Sequence, residues 1–230
     1  MPWRGDAIEG FAAPPPMTAY GTWVSEIMLQ QTRVETVIAY WHRWMDRFPT
    51  LNHLAAASPE EVNSCWAGLG YYRRAQNLLK GAKHVIEKYG GKIPETVAEL
   101  LTIPGVGPYT AGAIASVAYG RVECVVDGNV IRVLSRLRAM RQEGRVLEKQ
   151  CWQAAAQLVD PIDPGNFNQA IMEHGAVVCK PQNPVCLEDA GLCSLSDICM
   201  ARRLSEAGAG VSDNGICCCS SLVKPYLMLL

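Results

Sequence analysis

The chain has no surplus of charge of either sign. Its 21 lysines and arginines stand against 22 aspartates and glutamates over 230 residues, giving a pI near 6.4. It therefore exerts no overall pull on a polyanion, and any affinity for nucleic acid must come from local basic surface. Arg73 and Arg74, or Arg132, Arg136 and Arg138, are the candidates, although the same arginines would suit a solvated helix face. Long apolar runs are also missing: none approaches the roughly 20 residues that cross a bilayer, and the opening MPWRGDAIEG lacks the apolar core of a secretory leader. A soluble, intracellular protein is expected. Alternating apolar and polar residues are absent over any useful length, which excludes a sheet-based architecture. With no leader in view, the ten cysteines read as metal ligands or free thiols, not as a disulfide framework.

What is present is helical. Val34, Val37, Ile38 and Trp41 recur at helical spacing, as do Leu78, Leu79, Ala82, Val85, Ile86 and Tyr89. Ser58-Pro59-Glu60-Glu61 reads as a cap with proline at the first helical position, and Gly90-Gly91 followed by Pro94 as a helix stop. Val122 to Val126 is too short and solitary for a sheet and reads as an extended approach to a helix starting near Asn129. With 49% apolar residues the chain can bury the core of one large or two small domains. From about Glu206 periodicity is lost, and the tail is expected to be disordered or divergent.

Four features could carry chemistry. In LLTIPGVGPYTA, Gly105 and Gly107 allow positive φ and close backbone approach, so successive N–H groups can face one phosphate, while Pro108 suits the first turn of the next helix; a simple helix-turn-helix corner is the alternative. Glu26 lies among Trp23, Val24, Ile27 and Met28, and an apolar wall favours its protonated form, as a general acid requires; a surface glutamate is the commoner outcome. Asp127 stands at a helix start, where free N–H groups and the macrodipole favour a carboxylate. One protonated and one ionised acid are the pair that cleaves glycosidic bonds. Finally, Cys179, Cys186, Cys193 and Cys199, with six, six and five residues between them, suit a [4Fe-4S] cluster or a tetrahedral zinc, and spacing alone does not choose.

Taken in order, WVSEIMLQQT, AGLGYYRRAQNL, IPGVGPYTAGAIAS, VVDGNV, FNQAIMEHGAVVC and the cysteine run resemble the adenine DNA glycosylases of the MutY family, within the helix-hairpin-helix superfamily that includes endonuclease III. The likeness runs from Pro2 to about Arg203 and is strongest toward eukaryotic members. It implies an all-α fold of two lobes: a six-helix barrel over residues 20–118 with the hairpin at about 100–113, and an iron–sulfur lobe from residues 1–19 and 119–203, with 204–230 a tail. The substrate would lie between the lobes.

By the same resemblance, Glu26 protonates the departing adenine and Asp127 stabilises the sugar cation, with Asn129 and Tyr109 orienting this pair and the water. Arg4, Trp3 and Glu173 would line the adenine pocket, and Gln31 and Tyr71 would wedge into the duplex. Lyase relatives carry a lysine nucleophile at the position of Tyr109, and no lysine occurs between Lys92 and Lys149, so a phenol in that place implies a monofunctional hydrolase. The partner would be duplex DNA with adenine opposite 8-oxoguanine or guanine, met by a monomer in the nucleus or mitochondrion. The metal would be a [4Fe-4S] cluster held by the four cysteines. The chain departs from the family in two ways. Six residues separate Cys186 from Cys193 where the family has two, and nothing after Arg203 resembles the connector or the MutT-like domain that reads 8-oxoguanine. An endonuclease III-like lyase, or an inactive DNA-binding isoform, are the rival readings.

Overall fold

The computed structural model describes Trp3, residues 18–187 and residues 189–207. Among these residues there are eleven α-helices and no strand. None of the helices is long and apolar enough to cross a membrane. The chain divides into two compact units, Met1–Glu123 and Cys124–Leu230.

The first unit contains α1 (Ala19–Leu29), α2 (Val34–Arg47), α3 (Leu51–Ala56), α4 (Pro59–Trp66), α5 (Arg73–Tyr89), α6 (Val97–Leu100) and α7 (Pro108–Ala113), which runs on into a π-helical turn, Ile114–Ala118. Thr18, Thr50, Ser58 and Thr96 cap their helices with side-chain oxygens, each worth about 1 kcal/mol. The Ser58 cap is reciprocal, with Glu61 accepting from the Ser58 N–H, and Gly90 ends α5 in the left-handed region at φ 61°. Both signals were legible in the sequence. Trp23, Trp44, Trp66 and Phe48 are fully buried. Trp44 meets Phe48 and Trp66 edge-on at 5.1 and 5.4 Å, and its indole N–H donates to the Tyr20 hydroxyl, which donates to the Phe48 carbonyl. Burial pushes the Tyr20 phenol far above its usual range, so it stays a neutral donor. A Cβ at Gly81 would sit 2.6 Å from the Trp23 ring. Only glycine lets α5 lie this close to α1, and that contact sets the turn of α1 that carries Glu26.

The second unit contains α8 (Gly128–Leu137), α9 (Gly144–Leu158), α10 (Pro164–Val177), short 3-10 turns at Val185–Leu187, Ala190–Leu192 and Ser196–Ile198, and α11 (Met200–Glu206). Val126, Val130, Leu134, Leu147, Cys151, Ala154 and Ala155 form its core. Burial raises the Cys151 thiol to about 11, marking it as an inert core group. A Cβ at Gly175 would meet the Asn129 Cβ at 2.7 Å and its carbonyl oxygen at 2.9 Å. The crossing of α10 over α8 therefore depends on glycine.

Two details differ from the sequence-based division. The break falls after Glu123 and not after 118, and Trp3 packs against Trp41 of the first unit with ring centroids 6.1 Å apart, whereas the family resemblance groups residues 1–19 with the second. Arg4 and the tail beyond Ala207, including Cys217 to Cys219, lie outside the described residues.

Candidate active site

The helical neighbours of Glu26 singled out by the sequence, Trp23, Val24, Ile27 and Met28, are all buried. Glu26 itself is half-buried on α1. The Tyr109 hydroxyl, from the first turn of α7, donates to Glu26 Oε2 at 2.7 Å. Two residues 83 positions apart are thus joined side chain to side chain, which brings the hairpin helix to the carboxyl that the sequence singled out.

The hairpin forms as α6, a turn at residues 101–107, and α7. Ile103 and Val106 anchor the turn in the core. Gly105 sits at φ 83°, and a Cβ there would press on Asn77 at 2.6 Å. Gly107 differs from expectation. Its φ is −99° and the space around it is open, so it serves as the extended N-cap before Pro108 and does not use the left-handed freedom that Gly105 needs.

Gln31 and Tyr71 are both exposed, Tyr71 with 65% of its surface open. Both adopt left-handed backbone, at φ 56° and 47°, a conformation that costs side-chain-bearing residues of order 1–3 kcal/mol. Behind them lies Arg74, whose guanidinium donates to the carbonyls of Ile27, Met28, Gln30, Leu69 and Gly70.

In the second unit Asp127 is the N-cap of α8. Its Oδ1 accepts from the Val130 N–H and its Oδ2 from the Asn129 amide, both at 2.8 Å. Asn129 Oδ1 in turn accepts from Arg132 at 2.7 Å, and Arg132 also donates to the carbonyls of Gly175 and Cys179. A continuous chain of hydrogen bonds therefore links the cap carboxylate to the first cysteine of the metal-type run. Glu173 is exposed on α10.

The four cysteines line one small cavity, with Val133, Leu137, Pro184 and Leu195 as apolar walls and His174, Arg136 and Arg202 beside them. Burial first, and then the neighbouring thiols, push the Cys186 and Cys199 thiols up. Arg136 donates to Cys179 Sγ at 3.4 Å, and His174 Nε2 lies 3.8 Å from Cys193 Sγ. Among the described residues no three His, Cys, Asp or Glu side chains gather tightly enough around one point for a single metal ion. The four thiols share this cavity and are the donor set that a metal centre there would use.

Three arginines change their meaning. Arg74, Arg132 and Arg136 are 9%, 5% and 2% exposed, so they are interior donors and not the basic surface suggested by their sequence. Arg73 and Arg138 remain exposed.

With this geometry in view, the sequence model of the HhH-GPD superfamily base excision DNA repair protein matches residues 24–157. The chain belongs to the HhH-GPD superfamily. Similar curated proteins include the adenine DNA glycosylase of Homo sapiens, 51% identical over 209 residues, covering 90% of this chain and 37% of that protein. Those of Arabidopsis thaliana and Schizosaccharomyces pombe are 45% and 46% identical, covering 92% and 81% of this chain and 36% and 41% of theirs. The chain thus spans well under half the length of these relatives. Among solved structures, a thermostable thymine-DNA glycosylase superposes with a TM-score of 0.73 at 26% identity over 88% of both chains. A non-covalent endonuclease III–DNA complex superposes with a TM-score of 0.70 at 26% identity, over 83% of this chain and 86% of that one. The all-α helix-hairpin-helix fold expected from the sequence is that of the HhH-GPD superfamily.

Proposed function

We propose that this chain carries the catalytic part of a monofunctional adenine DNA glycosylase, which hydrolyses the N-glycosidic bond of adenine paired with 8-oxoguanine or guanine in duplex DNA. The observation that carries the reading is the Tyr109–Glu26 hydrogen bond. It joins a phenol, which cannot form a Schiff base, to Glu26, the carboxyl to which this reading gives the protonation of the base. The identity to adenine DNA glycosylases over most of the chain supports adenine as the base.

In the proposed reaction Glu26 gives its proton to the leaving adenine, which departs neutral. Tyr109 orients the Glu26 carboxyl. Asp127, held by the Val130 N–H and the Asn129 amide, offers its charge to the oxocarbenium-like sugar, and water completes the hydrolysis. The hairpin turn around Gly105 and Gly107 grips a backbone phosphate. Gln31 and Tyr71 enter the duplex as the base leaves the stack. Cys179, Cys186, Cys193 and Cys199 would hold a [4Fe-4S] cluster, which when bound would tie the loop between α10 and α11 together through four iron–thiolate bonds. No step of hydrolysis passes through it.

Single-turnover reaction with duplex bearing adenine opposite 8-oxoguanine tests the reading, with half of each sample treated with alkali. Strand breaks only after alkali are expected. Breaks without alkali, together with a borohydride-trapped adduct, would establish a lyase instead, and no breaks in either half with the duplex still bound would leave a DNA-binding module. Iron and sulfide content of the purified protein tests the cluster, four of each per chain being the expectation for [4Fe-4S].

A further inference from the structure

Arg74 was legible only as half of a basic pair, yet it is one of the most heavily bonded side chains in the first unit. One nitrogen, Nη1, donates to the carbonyls of Ile27 and Met28 at 3.0 Å and to that of Gln30 at 2.5 Å. The other, Nη2, donates to Leu69 at 3.2 Å and Gly70 at 3.3 Å. Both reach Thr32 Oγ1 at 3.4 Å. The guanidinium also lies over the rings of Trp66 and Tyr71, at 5.3 and 5.4 Å from their centroids. The carbonyls on one side end α1 and lead into Gln31, and those on the other immediately precede Tyr71.

Those two residues share a strained backbone and an exposed side chain, although they come from segments 40 positions apart. A non-glycine residue stays in the left-handed region only where its surroundings over-determine it. Arg74 supplies that constraint for both at once, because its planar fork can face two sets of carbonyls in different directions while its charge strengthens each bond. Lysine keeps the charge but is a single point of donation. It cannot bridge the two segments.

We infer that Arg74 is a positioning residue for base extrusion: one buried guanidinium ties the end of α1 to the turn before α5, and so sets Gln31 and Tyr71 as a two-pronged wedge of fixed spacing. The inference rests on the reading above that these two side chains enter the duplex.

The test uses the full chain and a duplex with 2-aminopurine next to adenine opposite 8-oxoguanine, so that fluorescence reports unstacking. Work in a Glu26→Gln background keeps the base on its sugar throughout. Arg74→Lys should slow the fluorescence rise about tenfold to a hundredfold, the scale of a misplacement of about 1 Å, with duplex affinity by anisotropy changed far less. A double-mutant cycle separates positioning from general support. In a background of Gln31→Ala with Tyr71→Ala, Arg74→Lys should add nothing to the loss. An additive loss would overturn the inference, as would an unchanged rise in Arg74→Lys alone. If Gln31→Ala with Tyr71→Ala leaves the rise intact, the wedge reading itself fails and this inference falls with it. Should Arg74→Lys not fold, Thr32→Val removes the hydroxyl that both nitrogens share, and the same cycle applies with a smaller expected slowing.

Discussion

The two acids of this protein are held in opposite ways. Glu26 is a half-buried side chain on α1 that accepts a hydrogen bond from a phenol on a distant helix. Asp127 is part of the architecture: it caps α8, takes a second bond from Asn129, and through Arg132 connects to the carbonyls of Gly175 and Cys179. In the proposed reaction the first is a general acid that must give up its proton and regain it, so it has to change charge in place. A group that meets a developing cation benefits from a fixed charge in a fixed place. The difference teaches that substitutions at the first acid should separate chemistry from folding, whereas at the second only a substitute that still caps α8 should do so.

The sharpest way to break this comparison is Glu26→Gln. Adenine release should fall by about 10³- to 10⁴-fold, the upper part of what proton transfer contributes. Thermal unfolding and duplex affinity should stay near those of the parent protein. A loss of binding in step with catalysis would mean that Glu26 supports the fold and the comparison is misdrawn. Next in size is Asp127→Asn, for which single-turnover release should drop on the order of 10²- to 10³-fold with little change in melting, because asparagine caps as well as aspartate. Asp127→Ala should lose the same activity and in addition about 1 kcal/mol of stability, seen as a lower thermal midpoint. If the alanine and asparagine variants melt alike, the cap is not the structural element described here.

How much of this the sequence disclosed depends on the kind of interaction. Local devices were legible, since a cap, a glycine stop or a proline at a first turn acts within a few residues: the Ser58 box, the end of α5 at Gly90 and the start of α8 after Asp127 all stand close to where the pattern put them. The apolar neighbours of Glu26 were legible from helical spacing. What escaped notice acts across distance through backbone carbonyls. Arg74, Arg132 and Arg136 look like surface cations because their partners are mostly backbone carbonyls at helix ends and in loops, which leave no trace in side-chain pattern. The roles of Gly81 and Gly175 escaped for the same reason, since each is set by a side chain or backbone on another helix. Gly107 was credited with a left-handed backbone because the motif treats its two glycines alike, whereas the fold needs that freedom only at Gly105.

A smaller effect sharpens the comparison from the packing side. Gly175→Ala places a methyl against Asn129, where backbone as well as side chain must yield. Overpacking of this kind costs about 1–3 kcal/mol. Because the displaced residue is the one that bonds Asp127, adenine release should fall with it, by about tenfold on the scale of 1.4 kcal/mol. Differential scanning calorimetry together with single-turnover release measures both. A variant that loses stability but keeps full activity would show that Asn129 can shift without carrying Asp127 along.

The smallest expected change is at the phenol. Tyr109→Phe keeps the ring and removes the hydroxyl that donates to Glu26. A single hydrogen bond to a carboxyl group is worth about 0.5–1.5 kcal/mol net, so adenine release should slow by a few-fold and not by orders of magnitude. Borohydride should trap no covalent adduct in either protein, since neither carries an amine at this position. Melting should change little, because the hydroxyl meets a half-buried group and not the core. The size of the effect distinguishes two uses of the bond. A few-fold loss means that Tyr109 orients the Glu26 carboxyl, whose proton does the work. A loss approaching that of Glu26→Gln would mean that the phenol itself takes part in proton delivery, and the first acid would then be a coupled pair, closer in kind to the second.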